Sequence, residues 1–127
     1  MPALIIFACL LIEHLSRFLL RDFVTLSYNP GAAFGFLGDM PGLALILSGL
    51  ACAIIIFVCF FVKMRKLMRL GLSIMAGGAL SNLLERIFLG CVIDWIPFPF
   101  SFFALNFNLA DVEISLGALI AFLSCIK

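Results

Sequence analysis

The sequence predicts an all-α membrane protein of four transmembrane helices, N-in and C-in, with a short extracytoplasmic segment carrying at most a small sheet. Three observations predict it. Of the 127 residues, 65% are apolar and 12% charged, about half the charged share of a typical soluble domain. Four stretches are long and apolar enough to cross a bilayer as a helix, which takes about 20 residues. The densest positive charge, "KMRKLMR" at 63–69, falls between the second and third of them, and such loops stay on the cytoplasmic side.

Taken in order, the first helix spans 3–20 and is interrupted by Glu13, His14 and Arg17. It lacks a basic n-region, and "EHLSR" stands where a signal peptide carries its small-residue cleavage site, so it reads as a retained helix. Residues 21–42, "RDFVTLSYNPGAAFGFLGDMPG", then face outward. Asn29-Pro30-Gly31 is turn chemistry, with "VTLSY" as a short strand before it. The second helix, 43–62, has no charge at all. The third runs from 70 to about 93; Ser73, Gly77 and Ser81 at four-residue spacing, with Gly78, let helix backbones approach closely in lipid. The outward stretch "DWIPFPFSFFALNF" (94–107) suits an irregular segment at headgroup level, with Trp95 as an interfacial anchor. A fourth helix runs from about 103 to 126 and returns Lys127 to the cytoplasm. Arg21 at the outer end of helix one dissents mildly and is offset by Asp22. All 127 residues read as one membrane-embedded domain.

A net charge of +1 argues against nucleic acid as a partner. The five cysteines form no C-x-x-C and have no histidine nearby, so neither metal nor disulfide is expected. Four of them lie in apolar segments, where a free thiol behaves as a small hydrophobe; only Cys91, near a helix end, is a candidate for reactivity.

Charges inside a membrane are costly and by default mark function. At 1.5 Å per residue, Glu13 lies about 15 Å from the cytoplasmic end of its helix, Arg17 about 21 Å, and Asn82, Glu85 and Arg86 about 18, 22 and 24 Å along the third. Glu13 and Arg17 pair at i,i+4, and with Glu85 and Arg86 they form a network of two acids and two bases. Asp94 and Asp111 then converge on the outer interface with no obvious base. Two close carboxylates share a proton, and a base beside an acid is what hydrolysis of a peptide by activated water requires. From spacing alone, two helix caps or solvated loop residues explain these aspartates equally well. Glu113 stays unassigned. A small proton-coupled four-helix exporter using Glu13 is a rival reading, although such proteins need neither the one-sided "KMRKLMR" nor the two outer aspartates.

"YNPGAAFGF", "GGALSNLLERIFLGCVIDW" and "FNLADVEISLG" resemble, in order, the motif blocks of the lipoprotein signal peptidases, or signal peptidase II, and "EHLSR" resembles a fourth, weaker block. The resemblance covers about half the chain. It implies a monomeric aspartic endopeptidase of the bacterial inner membrane, without cofactor or metal and with its site near the outer face. Its substrates would be diacylglyceryl-modified prolipoproteins, cut before the lipidated cysteine; its other partner would be membrane lipid. It makes Asp94 ("VIDW") and Asp111 ("FNLAD") the catalytic pair. Asn29, Gly31, Asn82, Arg86, Asn108 and Ala110 match positions that shape or support the site. Glu13, Arg17 and Glu85 stand where the family has aspartate, lysine and aspartate, and His14 where it has glutamine. The charges keep their sign but the reach changes, and arginine for lysine is not geometrically conservative. Glu113 is unusual at its position, and the segment between helices one and two is shorter than in the family. A catalytically impaired relative that binds lipidated peptides is the second reading.

Overall fold

A computed structural model describes residues 1–31, 37–98 and 105–126. Its elements run α1 (Pro2–Leu20), β1 (Ser27–Asn29), α2 (Pro41–Phe61), α3 (Lys66–Leu89), β2 (Val92–Asp94), β3 (Ile96–Pro97), β4 (Asn106–Phe107) and α4 (Leu109–Ile126). All four helices are long and apolar enough to cross a membrane, and the chain is a multi-pass membrane protein. Pro2 and Pro41 open α1 and α2, where a missing N–H costs nothing and the fixed φ suits the first turn.

Three helix boundaries differ from the sequence expectation by more than two residues, each for a local reason. Helix three was expected to reach about residue 93 but stops at Leu89, because Gly90 takes the left-handed conformation (φ 73°) and its N–H closes onto the Arg86 carbonyl. It also starts four residues before the expected 70, since its first turn carries Lys66 and Arg69, charged residues that an apolarity criterion assigns to the loop. Helix four starts at Leu109, not near 103. Residues 99–104 lie outside the described ones, and Asn106–Phe107 has gone into a strand.

The expected small sheet is two antiparallel ribbons. β1 pairs with β2 in the register Ser27↔Asp94, Tyr28↔Ile93 and Asn29↔Val92. β3 pairs with β4, Ile96 opposite Phe107 and Pro97 opposite Asn106. The strand therefore ends at Asn29, later than "VTLSY" suggested, and it puts Asn29 beside the strand that carries Asp94.

Helix α3 is the hub, packed against α1, α2 and α4. Its small residues make this possible. A Cβ on Gly71 would fall 2.6 Å from the backbone of Gly117 and Ala121 on α4, and one on Gly78 would collide with the carbonyl of Ala110. Gly77 lies under Cys9 of α1, while Ser73 and Ser81 are fully buried, as close helix approach requires. Ile6, Cys59 and Ala76 form the buried apolar centre, with Leu10, Ile55 and Leu72 against it. The large side chains of α2 and α4, such as Leu50, Phe57 and Phe122, point outward, which in lipid is their favourable side. All five cysteines are free.

Candidate active site

Three elements build the acidic site. Strand β2 carries Asp94, buried to 6% exposure, and the first turn of α4 carries Asp111. The end of α3 supplies Asn82 and Arg86 between them. Asp94 is thus on a strand and not on a continued helix.

Asn108 precedes α4 and caps it. Its Oδ1 accepts the Asp111 N–H at 2.9 Å, while Asp111 Oδ2 accepts the Asn108 N–H at 3.2 Å, the reciprocal pattern of a capping box. The Nδ2 of Asn108 donates to Asp94 Oδ1 (3.1 Å) and to Asn82 Oδ1 (3.0 Å). Asn82 Nδ2 donates in turn to Asp111 Oδ1 at 3.0 Å. Two amides therefore link the two carboxylates. Asn29 Nδ2 reaches the other Asp94 oxygen at 3.3 Å. Asn29 is held by an Asx turn, its Oδ1 accepting the Gly31 N–H at 2.9 Å, and Arg86 Nη2 donates to the Gly31 carbonyl at 3.0 Å. Ala110, fully buried between Gly78 and Glu13, leaves no room for a larger residue.

Burial first, and the neighbouring charge of Asp111 second, push Asp94 up to about 6; hydrogen bonds from Asn29 and Asn108 and the Arg86 guanidinium pull the other way. Arg86 was expected to complete a four-member network with Glu13, Arg17 and Glu85, and the aspartates to have no base. Instead Arg86 points away from that network, to Gly31, to the Asn82 carbonyl and towards the aspartates.

The rest of the network forms as expected. Arg17 pairs with Glu85 across α1 and α3, and lies 3.6 Å from Glu13. Glu85 Oε2 accepts the Ile93 N–H at 2.8 Å. Glu13, 1% exposed, accepts from Trp95 Nε1 at 3.1 Å and from the Ala110 N–H at 3.0 Å. Trp95 is therefore not an interfacial anchor. Its ring is buried (7% exposed) because its N–H finds a carboxylate inside, the usual condition for burying an indole. The sequence carries no local signal for this contact, since Glu13 is 82 residues away and is already matched there by Arg17.

His14 and Ser81 were also missed. They meet at 3.2 Å, and Arg17 Nη2 lies 3.1 Å from His14 Nδ1. A guanidinium can only donate, so Nδ1 accepts and Nε2 carries the proton given to Ser81. That tautomer has no lone pair for a serine proton, and Ser81 is 1% exposed; the pair is not a nucleophile with its base. Glu113 is buried in α4, one of its oxygens without a hydrogen-bond partner among the described residues.

A cavity of about 210 Å³ opens over Asp94 and Asp111, edged by Asn29, Asn82 and Arg86. A second, nearly apolar cavity of about 390 Å³ continues from Asp111 along Phe98, Leu105, Phe107 and Val112. Among the described residues no cluster of three histidine, cysteine or acidic side chains could hold a metal ion.

Comparison with known proteins is consistent across the chain. Residues 5–127 match the family model described as signal peptidase (SPase) II. The lipoprotein signal peptidase of Desulfitobacterium hafniense (strain DSM 10664 / DCB-2) is 39% identical over 101 residues, covering 77% of this chain and 67% of that one. That of Cellvibrio japonicus (strain Ueda107) is 37% identical over 102 residues, 76% of this chain and 60% of the relative. That of Clostridium tetani (strain Massachusetts / E88) is 34% identical over 113 residues, 85% and 72%. The matched segments thus span about two thirds of the relatives' length. A bacterial membrane enzyme solved by the in meso method at 2.3 Å superposes with a TM-score of 0.82 at 20% identity, covering 99% of this chain and 87% of the other. A second, solved at 1.9 Å, gives 0.78 at 22% identity, covering 99% and 92%; these two speak to the fold. On the family match and the curated relatives together, this chain belongs to the signal peptidase II family, the peptidases that remove signal peptides from prolipoproteins.

Proposed function

We propose that this chain is an aspartic endopeptidase that cuts diacylglyceryl-modified prolipoproteins before the lipidated cysteine, with Asp94 and Asp111 as its acid–base pair. The observation that carries the reading is the link between the two carboxylates: Asn82 and Asn108 join them beneath one cavity. A single proton shared by such a pair leaves one carboxylate to deprotonate the attacking water and one carboxyl to protonate the departing amine. With Asp94 pushed up to about 6, it takes the shared proton as pH falls through that value. The form carrying one proton is then lost as pH rises, which gives kcat/KM an alkaline limb set by the free enzyme.

Asn29, Gly31, Asn82, Arg86, Asn108 and Ala110 shape this site, and Glu13, Arg17 and Glu85 support it. The apolar cavity beside Asp111 suits an apolar peptide segment or acyl chain, and the polar one suits the scissile bond and its water. The site faces the outer leaflet of the bacterial inner membrane, and the chain works as a monomer. An exporter reading needs a carboxylate free to meet cargo. Both oxygens of Glu13 accept hydrogen bonds in a site 1% exposed, which favours the peptidase.

The test is cleavage of a diacylglyceryl-modified prolipoprotein by purified protein, followed on a gel. Asp94→Asn and Asp111→Asn are each expected to abolish cleavage, and the double variant to be no worse than either, since the pair acts as a unit. Substantial cleavage by either variant removes the dyad assignment and makes Glu113 the next residue to examine. A wild-type protein that binds the substrate without cutting it identifies an impaired relative.

A further inference from the structure

Glu13 reaches both halves of the site from outside it. On α1, 13 residues into the chain, its Oε1 accepts the indole N–H of Trp95 at 3.1 Å and its Oε2 accepts the backbone N–H of Ala110 at 3.0 Å. Trp95 follows Asp94 and Ala110 precedes Asp111. The same carboxylate thus touches the chain one residue away from each aspartate, on two elements that are not continuous with one another. Trp95 is fixed further by its backbone N–H to the Phe107 carbonyl at 3.0 Å, and Ala110 by its contact with Gly78. The carboxylate is in turn held by Arg17, 3.6 Å from Oε1, and Arg17 also ties down Glu85, which grips Ile93 on the other side of Asp94.

We propose that Glu13 is the positioning residue of the aspartate pair, a carboxylate on α1 that holds the neighbour of Asp94 and the neighbour of Asp111 and so sets the separation of the two. This rests on the dyad reading above. Two like-charged groups repel, so their separation has to be held; to the two-amide link and the Trp95–Phe107 backbone bond, Glu13 adds a buried acceptor with two oxygens, each committed to one side. Because an amide side chain has only one acceptor oxygen, glutamine at this position can keep one grip but not both. The aspartates then relax apart and each feels less of the other's charge. The groups facing Glu13 are Arg17 from its own helix, Glu113 from α4 and the N–H donors named above. Those facing Asp94 are Asp111 from α4 and Arg86 from α3, with the amides of Asn29 and Asn108.

The experiment compares wild type, Glu13→Gln, Trp95→Phe and their double variant. Cleavage kinetics on the diacylglyceryl prolipoprotein are measured across pH, with thermal unfolding recorded in parallel, and Asp94→Asn and Asp111→Asn run beside them. Glu13→Gln is expected to lower kcat by about 10²-fold with KM little changed, the cost of a misplacement of about 1 Å at the reacting groups. Its alkaline limb in kcat/KM should move to lower pH, towards the ordinary carboxylate range. Trp95→Phe keeps the apolar ring, so it tests the same grip if Glu13→Gln folds poorly, and because the two changes act on one hydrogen bond the double variant should lose less than the two single losses combined. Loss of activity that follows the folded fraction, with kcat per folded molecule and the alkaline limb unmoved, overturns the inference. So does full additivity of the two changes. If both asparagine variants are inactive while Glu13→Gln keeps wild-type kcat, the dyad stands and the positioning role falls; if an asparagine variant still cleaves, both fall.

Discussion

Asp111 sits third in α4 and exchanges two hydrogen bonds with Asn108, so the carboxylate offered for chemistry also closes the end of its own helix. Asp94 has no such local duty, and its pH behaviour is correspondingly clear. Folding raises its carboxyl from 3.8 to about 6, so the folded chain binds that proton more tightly than the unfolded one. The stabilising contribution is therefore full below pH about 4 and is lost as pH rises through about 6. Asparagine does not titrate, so unfolding curves of wild type and Asp94→Asn in detergent should diverge in favour of the variant between pH 4 and 7.5. The change amounts to on the order of 3 kcal/mol; parallel curves over that range contradict it. At this scale the sequence was legible where charge had to be matched. The depth of Arg17 and Glu85 along parallel helices predicted their pairing, and it forms. Trp95 and Arg86 were misread, because each is defined by a partner from a distant segment: Glu13 for the indole and Gly31 for the guanidinium.

Helices α3 and α4 touch backbone to backbone at two glycines, Gly71 and Gly117. A Cβ on Gly117 would stand 2.5 Å from the Gly71 carbonyl oxygen and the Met75 nitrogen, atoms that move only if a whole helix moves. Gly117→Ala is expected to destabilise the protein by about 1–3 kcal/mol, the usual cost of overpacking, read as a lowered midpoint of thermal unfolding in detergent. Gly42→Ala, where an added Cβ meets nothing within 4 Å, is the control and should change little. A wild-type midpoint for Gly117→Ala would mean that the seam has slack. The small-residue spacing in α3 announced close packing from sequence, but not which helix would fill each notch: Cys9 of α1 over Gly77, α4 over Gly71 and Gly78. Helix ends were less legible than helices. Gly90 is a visible stop, yet only its left-handed φ of 73° turns the chain into β2 early enough to put Asp94 on a strand.

For the whole molecule, the asymmetry of charge still predicts orientation. Lys63, Arg65, Lys66 and Arg69 gather at the α2–α3 turn, and the strands, both aspartates and the cavity gather at the other end. In a cysteine-free background, Lys63→Cys should resist a membrane-impermeant maleimide in intact cells, and Asp39→Cys should react; the reverse pattern would turn the protein over. Four spans were readable because apolar length is a property of the chain itself. A small outer sheet was readable too, but not which strands pair in it, because residues as far apart as Ser27 and Asp94 face each other there and neither declares its mate. Helix α2 has a different consequence. It packs chiefly along α3, supplies none of the described residues that edge the cavity over the aspartates, and turns inward a seam of Ala44, Cys52, Ile55, Ile56 and Cys59. Its crossing makes α1 and α3 travel in the same direction, which brings Arg17 level with Glu85. Selection can therefore let most of α2 drift with the thickness and lipid composition of the host membrane, provided its length and its seam survive. In a chimaera, that helix is the segment to exchange first.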